Sequence, residues 1–362
     1  MKLAAARTAA FGALLAIERG AWAAEALASK SAHLDSRDAG LASDIVFGTL
    51  RHQGEIDALI DKYSKRPAAR LDEAVRLAIR MGLYQIRFLD RVPDHAAVND
   101  SVELARRAGK ASAAAFVNAV LRRALREPAE VADTASTPSW LLKRWVAHFG
   151  KETALSIARA TLLPPERYIR VGNAAPPEGA APTGVPGCYI LESGRHPGPF
   201  RFQDIGSQSV AAPGNKTAQS LETPLKALAC DLHPSRARML QTLEIPVAVV
   251  DATRPLPFNT RFDRILVDAP CTGTGTLARN PEIKWRLTPA DIIDLQTRQT
   301  AILTNALQLL EPDGLLVYST CSLEREENEA VVKASGATVL NTFQRLPGRD
   351  PGDGFFAALL RI

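Results

Sequence analysis

Two cysteines, Cys271 and Cys321, close short runs of small and hydroxyl-bearing residues: Asp268-Ala-Pro-Cys271-Thr-Gly-Thr-Gly275 and Tyr318-Ser-Thr-Cys321-Ser322. A thiol in such a place is either a small buried hydrophobe or a nucleophile, and position alone does not decide between them. The other two cysteines, Cys188 and Cys230, stand apart, and no C-x-x-C pair occurs. Zinc sites call for ligand pairs at short spacing, and disulfide frameworks for smaller, denser chains. Four scattered cysteines in 362 residues fit reduced thiols in a cytosol, and no metal site is expected.

The elements that carry these residues matter more than the residues singly. Four short apolar runs each end in a polar or nucleophilic group: LKALAC (225–230) at Asp231, VAVV (247–250) at Asp251, RILV (264–267) at Asp268 and LLVYST (315–320) at Cys321. Such runs, alternating with helical stretches, predict a parallel sheet with crossover helices. Ligands of open sheets lie beyond the carboxyl ends of the strands. Any one of the four could be a turn former; four at one topological place point to a crevice. Upstream, Val210-Ala-Ala-Pro-Gly-Asn-Lys-Thr217 is a tight turn before the helix-compatible TAQSLE. A loop, then a strand ending in Asp231, then one ending in Asp251 is an order suited to a nucleoside cofactor, whose ribose hydroxyls a carboxylate receives. G-x-G-x-x-G is absent, which disfavours NAD. S-adenosylmethionine, an adenosine without phosphates, fits the carboxylates better.

Residues 1 to about 128 read as helices, with Leu71, Val75, Leu77, Ala78, Leu83 and Ile86 near helical spacing and breaks at Lys65-Arg66-Pro67 and Arg91-Val92-Pro93-Asp94. A connector begins at Glu127-Pro128, a helix resumes at Ser139 and runs to about Leu163, and 173–199 is dense in Gly and Pro. The predicted organisation is a helical domain over 1–128, a connector with a small helical or irregular subdomain over 129–200, and an α/β domain over 201–362. At 46% hydrophobic and 23% charged residues the composition is ordinary for a globular protein, and a net charge of +5 leans weakly towards a polyanionic partner. Between Ser101 and Arg126, Arg106, Arg107, Lys110, Arg122, Arg123 and Arg126 face a single acid, Glu103; a solvated helical face is the bland alternative. The start imitates a signal peptide, but Glu18 and Arg19 interrupt it, and Phe11, Leu14, Leu15 and Glu18 read as one amphipathic helix. No apolar run is long enough to span a membrane.

The segments AAPGNKT, ACDLHPSR, VVDATRP, ILVDAPCTGTGTLARNPEIKW and LLVYSTCSLEREENE resemble the successive motifs of RNA cytosine-5 methyltransferases, and within them the Sun/Fmu (RsmB) branch, which methylates 16S ribosomal RNA. DHAAVNDSVELARRAGK and FVNAVLRR resemble the NusB-like RNA-binding domain of that branch, so the resemblance runs over nearly the whole chain. It implies an all-α NusB-like bundle followed by an α/β Rossmann-like, S-adenosylmethionine-dependent methyltransferase domain. It also implies that Cys321 is the nucleophile and Cys271 assists release, although chemistry permits the reverse. The thiolate would add to carbon 6 of cytosine and so activate carbon 5. By the same resemblance Asp268 contacts the cofactor's methionine end or the base, Asp231 the ribose and Asp251 the adenine side. Val210, Ala211, Ala212, Pro213, Gly214, Asn215 and Lys216 would wrap the methionine moiety. Arg106, Arg107, Lys110, Arg122 and Arg123 become candidates for phosphate contact, joined by Arg279, Lys284 and Arg286. Trp285 is a base platform or a core residue, and Cys188 and Cys230 are packing residues. One departure stands out. Where the family reads roughly VLDLCAAPGGKT, this chain reads RFQDIGSQSVAAPGNKT, so the first strand is truncated and Asn215 replaces a glycine. Two functions stay open: a cytoplasmic, monomeric enzyme acting on 16S ribosomal RNA or another structured RNA, and a non-catalytic RNA-binding protein that has lost its cofactor. A NusB-like transcription factor with an inert tail is the weaker third.

Overall fold

The computed structural model describes residues 3–172, 175–191, 198, 200–209, 226–240 and 245–362, so the glycine loop Val210 to Lys216 lies outside the described residues. The chain forms two compact units. One comprises Met1–Pro164 with Leu277–Arg286, the other Pro165–Thr276 with Leu287–Ile362.

The first unit is helical: α1 (Ala5–Glu18), α2 (Ala23–Ser31), α3 (Ser36–Arg51), α4 (Gln53–Ser64), α5 (Glu73–Phe88), α6 (Asp94–Arg107), α7 (Ala114–Arg126), α8 (Ser139–Phe149) and α9 (Lys151–Ala160). Short polar side chains set the starts of several. Asp35 accepts from the Asp38 amide ahead of α3, and Asp72 from those of Ala74 and Val75 ahead of α5, satisfying amides that a helix start leaves unpaired. Helix α5 is the axis of the core, with Val75, Leu77, Ala78, Ile79, Met81 and Leu83 all buried. Gly48 of α3 makes the crossing possible, because a Cβ there would lie 1.9 Å from the Tyr84 ring. Gly150, at φ 79, breaks the expected helix 139–163 into α8 and α9, a left-handed turn that glycine adopts without cost.

The second unit begins with an antiparallel sheet in the order β2-β3-β1-β4, from β1 (Arg167–Val171), β2 (Ala180–Pro182), β3 (Cys188–Leu191) and β4 (Phe200–Phe202). Next come β5 (Ala229–Asp231) and β6 (Val247–Val249), a parallel pair, and then β7 (Phe262–Asp268), β8 (Leu310–Thr320), β9 (Thr338–Arg345) and β10 (Phe355–Arg361) in the order β7-β8-β10-β9. β7 and β8 are parallel, whereas β10 runs antiparallel to both β8 and β9. The helix Pro289–Gln308 crosses over between β7 and β8. Its start carries a capping box, in which Asp291 accepts from the amide and hydroxyl of Thr288.

Among the described residues β5 pairs only with β6 and β7 only with β8, and no strand falls between Phe202 and Ala229. Residues 210–225, which follow the stretch read from the sequence as a truncated strand, lie outside the described residues. β7 is also covered on one face alone: Val267 packs into the core while Leu266 is 59% exposed. Parallel strands are ordinarily buried on both faces, so this exposure is unusual. Cys230, expected to pack, is exposed on β5, whereas Cys188 is buried as expected.

Candidate active site

The carboxyl ends of β7 and β8 bring the two thiols together, with Cys271 Sγ 3.3 Å from Cys321 Sγ. Parallel pairing places Asp268 opposite Ser319, so the residues after each strand leave the sheet at the same level. Gly275 then closes the space. Its amide donates to the Cys321 carbonyl at 2.8 Å and its own carbonyl accepts from Gly354 at 2.8 Å. A Cβ on Gly275 would stand 2.3 Å from the Gly354 oxygen, so only glycine permits this approach.

A buried carboxylate that sequence reasoning missed holds the two loops in register. Glu327 Oε1 accepts from the Thr272 amide at 2.8 Å and from Gln299 Nε2 at 2.9 Å, while Oε2 accepts from the hydroxyls of Thr272 and Ser322. Each residue following a thiol is thus tied to one carboxyl group. Tyr318 donates to the Glu327 carbonyl, and Asn328 links the Thr320 hydroxyl to the Ser322 carbonyl. Burial pushes the Glu327 carboxyl above its ordinary range, and the surrounding donors pull it back. Its signal was present in the sequence as Glu324, Glu327, Asn328 and Val331, which share helical spacing and are all fully buried, but acids in such a run ordinarily read as a solvated face.

The two thiols are not equivalent. The hydrogen bond to Cys321 raises the Cys271 thiol well above its usual range, and burial and the charges of Cys321 and Glu327 raise it further. The geometry therefore holds the proton on Cys271. Asp268 is exposed at the strand end, yet the apolar surroundings raise its carboxyl, opposed by the Ser319 hydroxyl.

Asp231 and Asp251 close β5 and β6 as expected, and each folds one oxygen back onto its own turn. Asp231 accepts from the His233 amide at 2.7 Å. Asp251 accepts from the amide and hydroxyl of Thr253, which lowers its carboxyl below the ordinary range. Asn305 of the crossover helix anchors the loop behind Asp251 by donating to the carbonyls of Ala252 and Arg254.

The basic residues divide into three sets. Arg106 and Arg107 are exposed at the end of α6 and share Glu103, and Lys110 pairs with Asp72 at 2.7 Å. Arg122 and Arg123 sit on α7 beside Asn118 and Glu127, with Arg123 roughly 14 Å along the axis from the first residue of α7. The third set, Arg279, Lys284 and Arg286, belongs to the segment inserted into the helical unit. There Lys284 is 1% exposed and donates to the Arg51 carbonyl, and Arg286 donates to the carbonyls of Ile17 and Ala21. Arg279 is half-buried and engaged. The expectation of phosphate contacts is corrected for Lys284 and Arg286, because their cationic groups satisfy backbone carbonyls inside the helical unit. Trp285 likewise binds inward, through Nε1 to the Leu50 carbonyl.

Residues 4–126 match the NusB family, and residues 207–339 match the family described as 16S rRNA methyltransferase RsmB/F. The ribosomal RNA small subunit methyltransferase B of Xylella fastidiosa is 32% identical over 90% of this chain and 92% of its own length, and that of Klebsiella pneumoniae 30% identical over 95% of each. The latter alignment has 409 positions, more than this chain has residues, so the relative carries stretches missing here. In fold, the solved structure of PH0851 matches with a TM-score of 0.79 at 20% identity, covering 100% of this chain and 99% of that one. A NusB-like helical unit joined to an α/β methyltransferase unit is thus the class of this molecule. Within it, the chain belongs to the ribosomal RNA small subunit methyltransferase B family.

Proposed function

We propose that this chain transfers a methyl group from S-adenosylmethionine to carbon 5 of a cytosine in 16S ribosomal RNA, through a covalent bond between Cys321 and the base. The observation that carries the reading is the pair of thiols 3.3 Å apart at the ends of two parallel strands, one of them held protonated. Cys321, the other thiol of the pair, takes the part of nucleophile that the family resemblance implies. Its sulfur adds to carbon 6, which leaves carbon 5 electron-rich. S-Adenosylmethionine supplies the electrophilic methyl group. Loss of the carbon 5 proton to a water molecule and departure of Cys321 as thiolate restore the aromatic ring, with the Cys271 thiol, in hydrogen-bond contact with the leaving sulfur, donating to it as its negative charge develops. Asp268, at the end of β7 opposite Ser319, is suited to bonding the base at nitrogen 3 as charge develops.

The residues present fit the cofactor's adenosine end to the extent that Asp231 and Asp251 stand at adjacent strand ends, where ribose and adenine edges would be held. The basic ends of α6 and α7 would contact RNA phosphates, orienting the substrate without reading its sequence. The family's acidic substrate and the reduced thiols agree with a cytoplasmic enzyme. Among the described residues no helix is long and apolar enough to cross a membrane.

The Cys321→Ala variant is expected to lose methylation altogether while keeping RNA affinity, as read by bisulfite sequencing of 16S RNA from cells with and without the native chain. Full methylation by the variant would sink the assignment. Calorimetry with S-adenosylmethionine separates the enzyme from a protein that only binds RNA.

A further inference from the structure

Glu327 is fully buried, and its partners are neutral donors: the Thr272 amide, the Gln299 side-chain amide and the hydroxyls of Thr272 and Ser322. Among the described residues no cation pairs with it. Taking a carboxylate out of water without a counter-ion costs more than burying an amide of the same shape. A glutamine would give the same oxygen to Thr272 and Gln299, and the two hydroxyls could turn to accept from its nitrogen. The fold therefore has no need of the charge.

The bonds of Glu327 converge on the thiols. Gln299 Nε2 donates to Glu327 Oε1 at 2.9 Å and to the Pro270 carbonyl at 2.8 Å, and the Thr272 amide donates to the same Oε1. The residues on either side of Cys271 are thus fastened to one carboxylate. Its other oxygen holds Ser322, which follows Cys321. The charge bears on Cys271 as well, since Glu327 and Cys321 are the two groups whose charges raise that thiol. Tyr318 donates to the backbone carbonyl of Glu327, leaving both carboxylate oxygens to these tethers.

We propose that Glu327 is a positioning residue for the release step: its tethers set Cys271 against Cys321, and its negative charge keeps the proton on the Cys271 sulfur, which donates to the departing thiolate. The inference rests on the covalent reading above. It assigns a buried charge to chemistry rather than to folding, so stability and activity should part when the charge is removed.

The test compares Glu327→Gln with Cys271→Ala in the full chain. Glu327→Gln is expected to keep or raise Tm while turnover on 16S RNA falls at least about ten-fold, as small misplacements of reacting groups cause. The covalent RNA adduct should accumulate on denaturing gels in both variants. A lowered Tm in Glu327→Gln would make the charge structural and overturn the inference. A second readout needs no RNA. In a Cys321→Ser background, alkylation of Cys271 followed by peptide mass spectrometry should reach half its maximal rate at lower pH when Glu327→Gln is added, because loss of a nearby negative charge favours the thiolate. An unmoved profile would overturn the inference. An adduct in Cys271→Ala but none in Glu327→Gln would overturn it and leave the covalent reading standing; no adduct in either would overturn both.

Discussion

Cys271 and Cys321 differ by what surrounds them rather than by what they are. The Cys271 sulfur is pressed between a second sulfur and the negative environment of Glu327, so it keeps its proton. If that proton serves release, Cys271→Ala should trap the Cys321–RNA adduct, visible as a retarded species on denaturing gels. An absence of that species would move the release role elsewhere. Lys284 offers an independent test of burial. Desolvation lowers its ammonium to about 7, from 10.5 for an ordinary lysine. Between those values the unfolded chain binds the extra proton, so stability rises with pH, and the cost of burying the charge is greatest below about pH 7. Lys284→Met should therefore gain most over the native chain near about pH 6 and lose that advantage towards about pH 10, as read from Tm at each pH. The sequence displayed the thiols and strand-end acids because their neighbours form recognisable runs. Glu327 and Lys284 escaped because an acid or a lysine in a charged stretch looks solvated until its partners are known.

At the scale of elements, the ends of strands were readable and the continuity of the sheet was partly so. Asp231 and Asp268 are the last residues of their strands, and Asp251 and Cys321 follow theirs within two residues, since a polar residue after an apolar run tends to end a strand. The break at Gly150 was not anticipated, because the apolar pattern runs on through it and only the backbone conformation ends α8. The polar stretch ahead of the glycine loop was legible, and β7 has one open face. The loop that carries Cys271 depends instead on Gly275. Gly275→Ala should separate the two thiol loops, with stability lowered by roughly 1–3 kcal/mol, as read from Tm, and methylation falling more steeply than RNA affinity. Retention of full activity would show that the Gly354 backbone can retreat.

At the scale of the molecule, the chain is two units, and the candidate residues divide between them. The exposed arginines of α6 and α7 belong to the helical unit, and the thiols to the α/β unit. RNA affinity should fall steeply and log-linearly with salt. Arg122→Gln with Arg123→Gln should reduce the slope by about one for each phosphate no longer neutralised, leaving the chemical step unchanged at saturating RNA. A slope unaltered by both changes would place the phosphate-binding cations on another surface. Domain limits at 128 and 200 followed composition, which registers linkers. It does not register that ten residues beyond Thr276 return to the helices.

That return sets an order of events during synthesis. Trp285 and Lys284 bond to the carbonyls of Leu50 and Arg51, and Arg286 to those at the end of α1, yet these partners emerge from the ribosome more than two hundred residues earlier. The amino-terminal helices must wait, incompletely filled, while more than a hundred further residues are translated. Only when Arg286 appears can the first part of the chain to be made close completely.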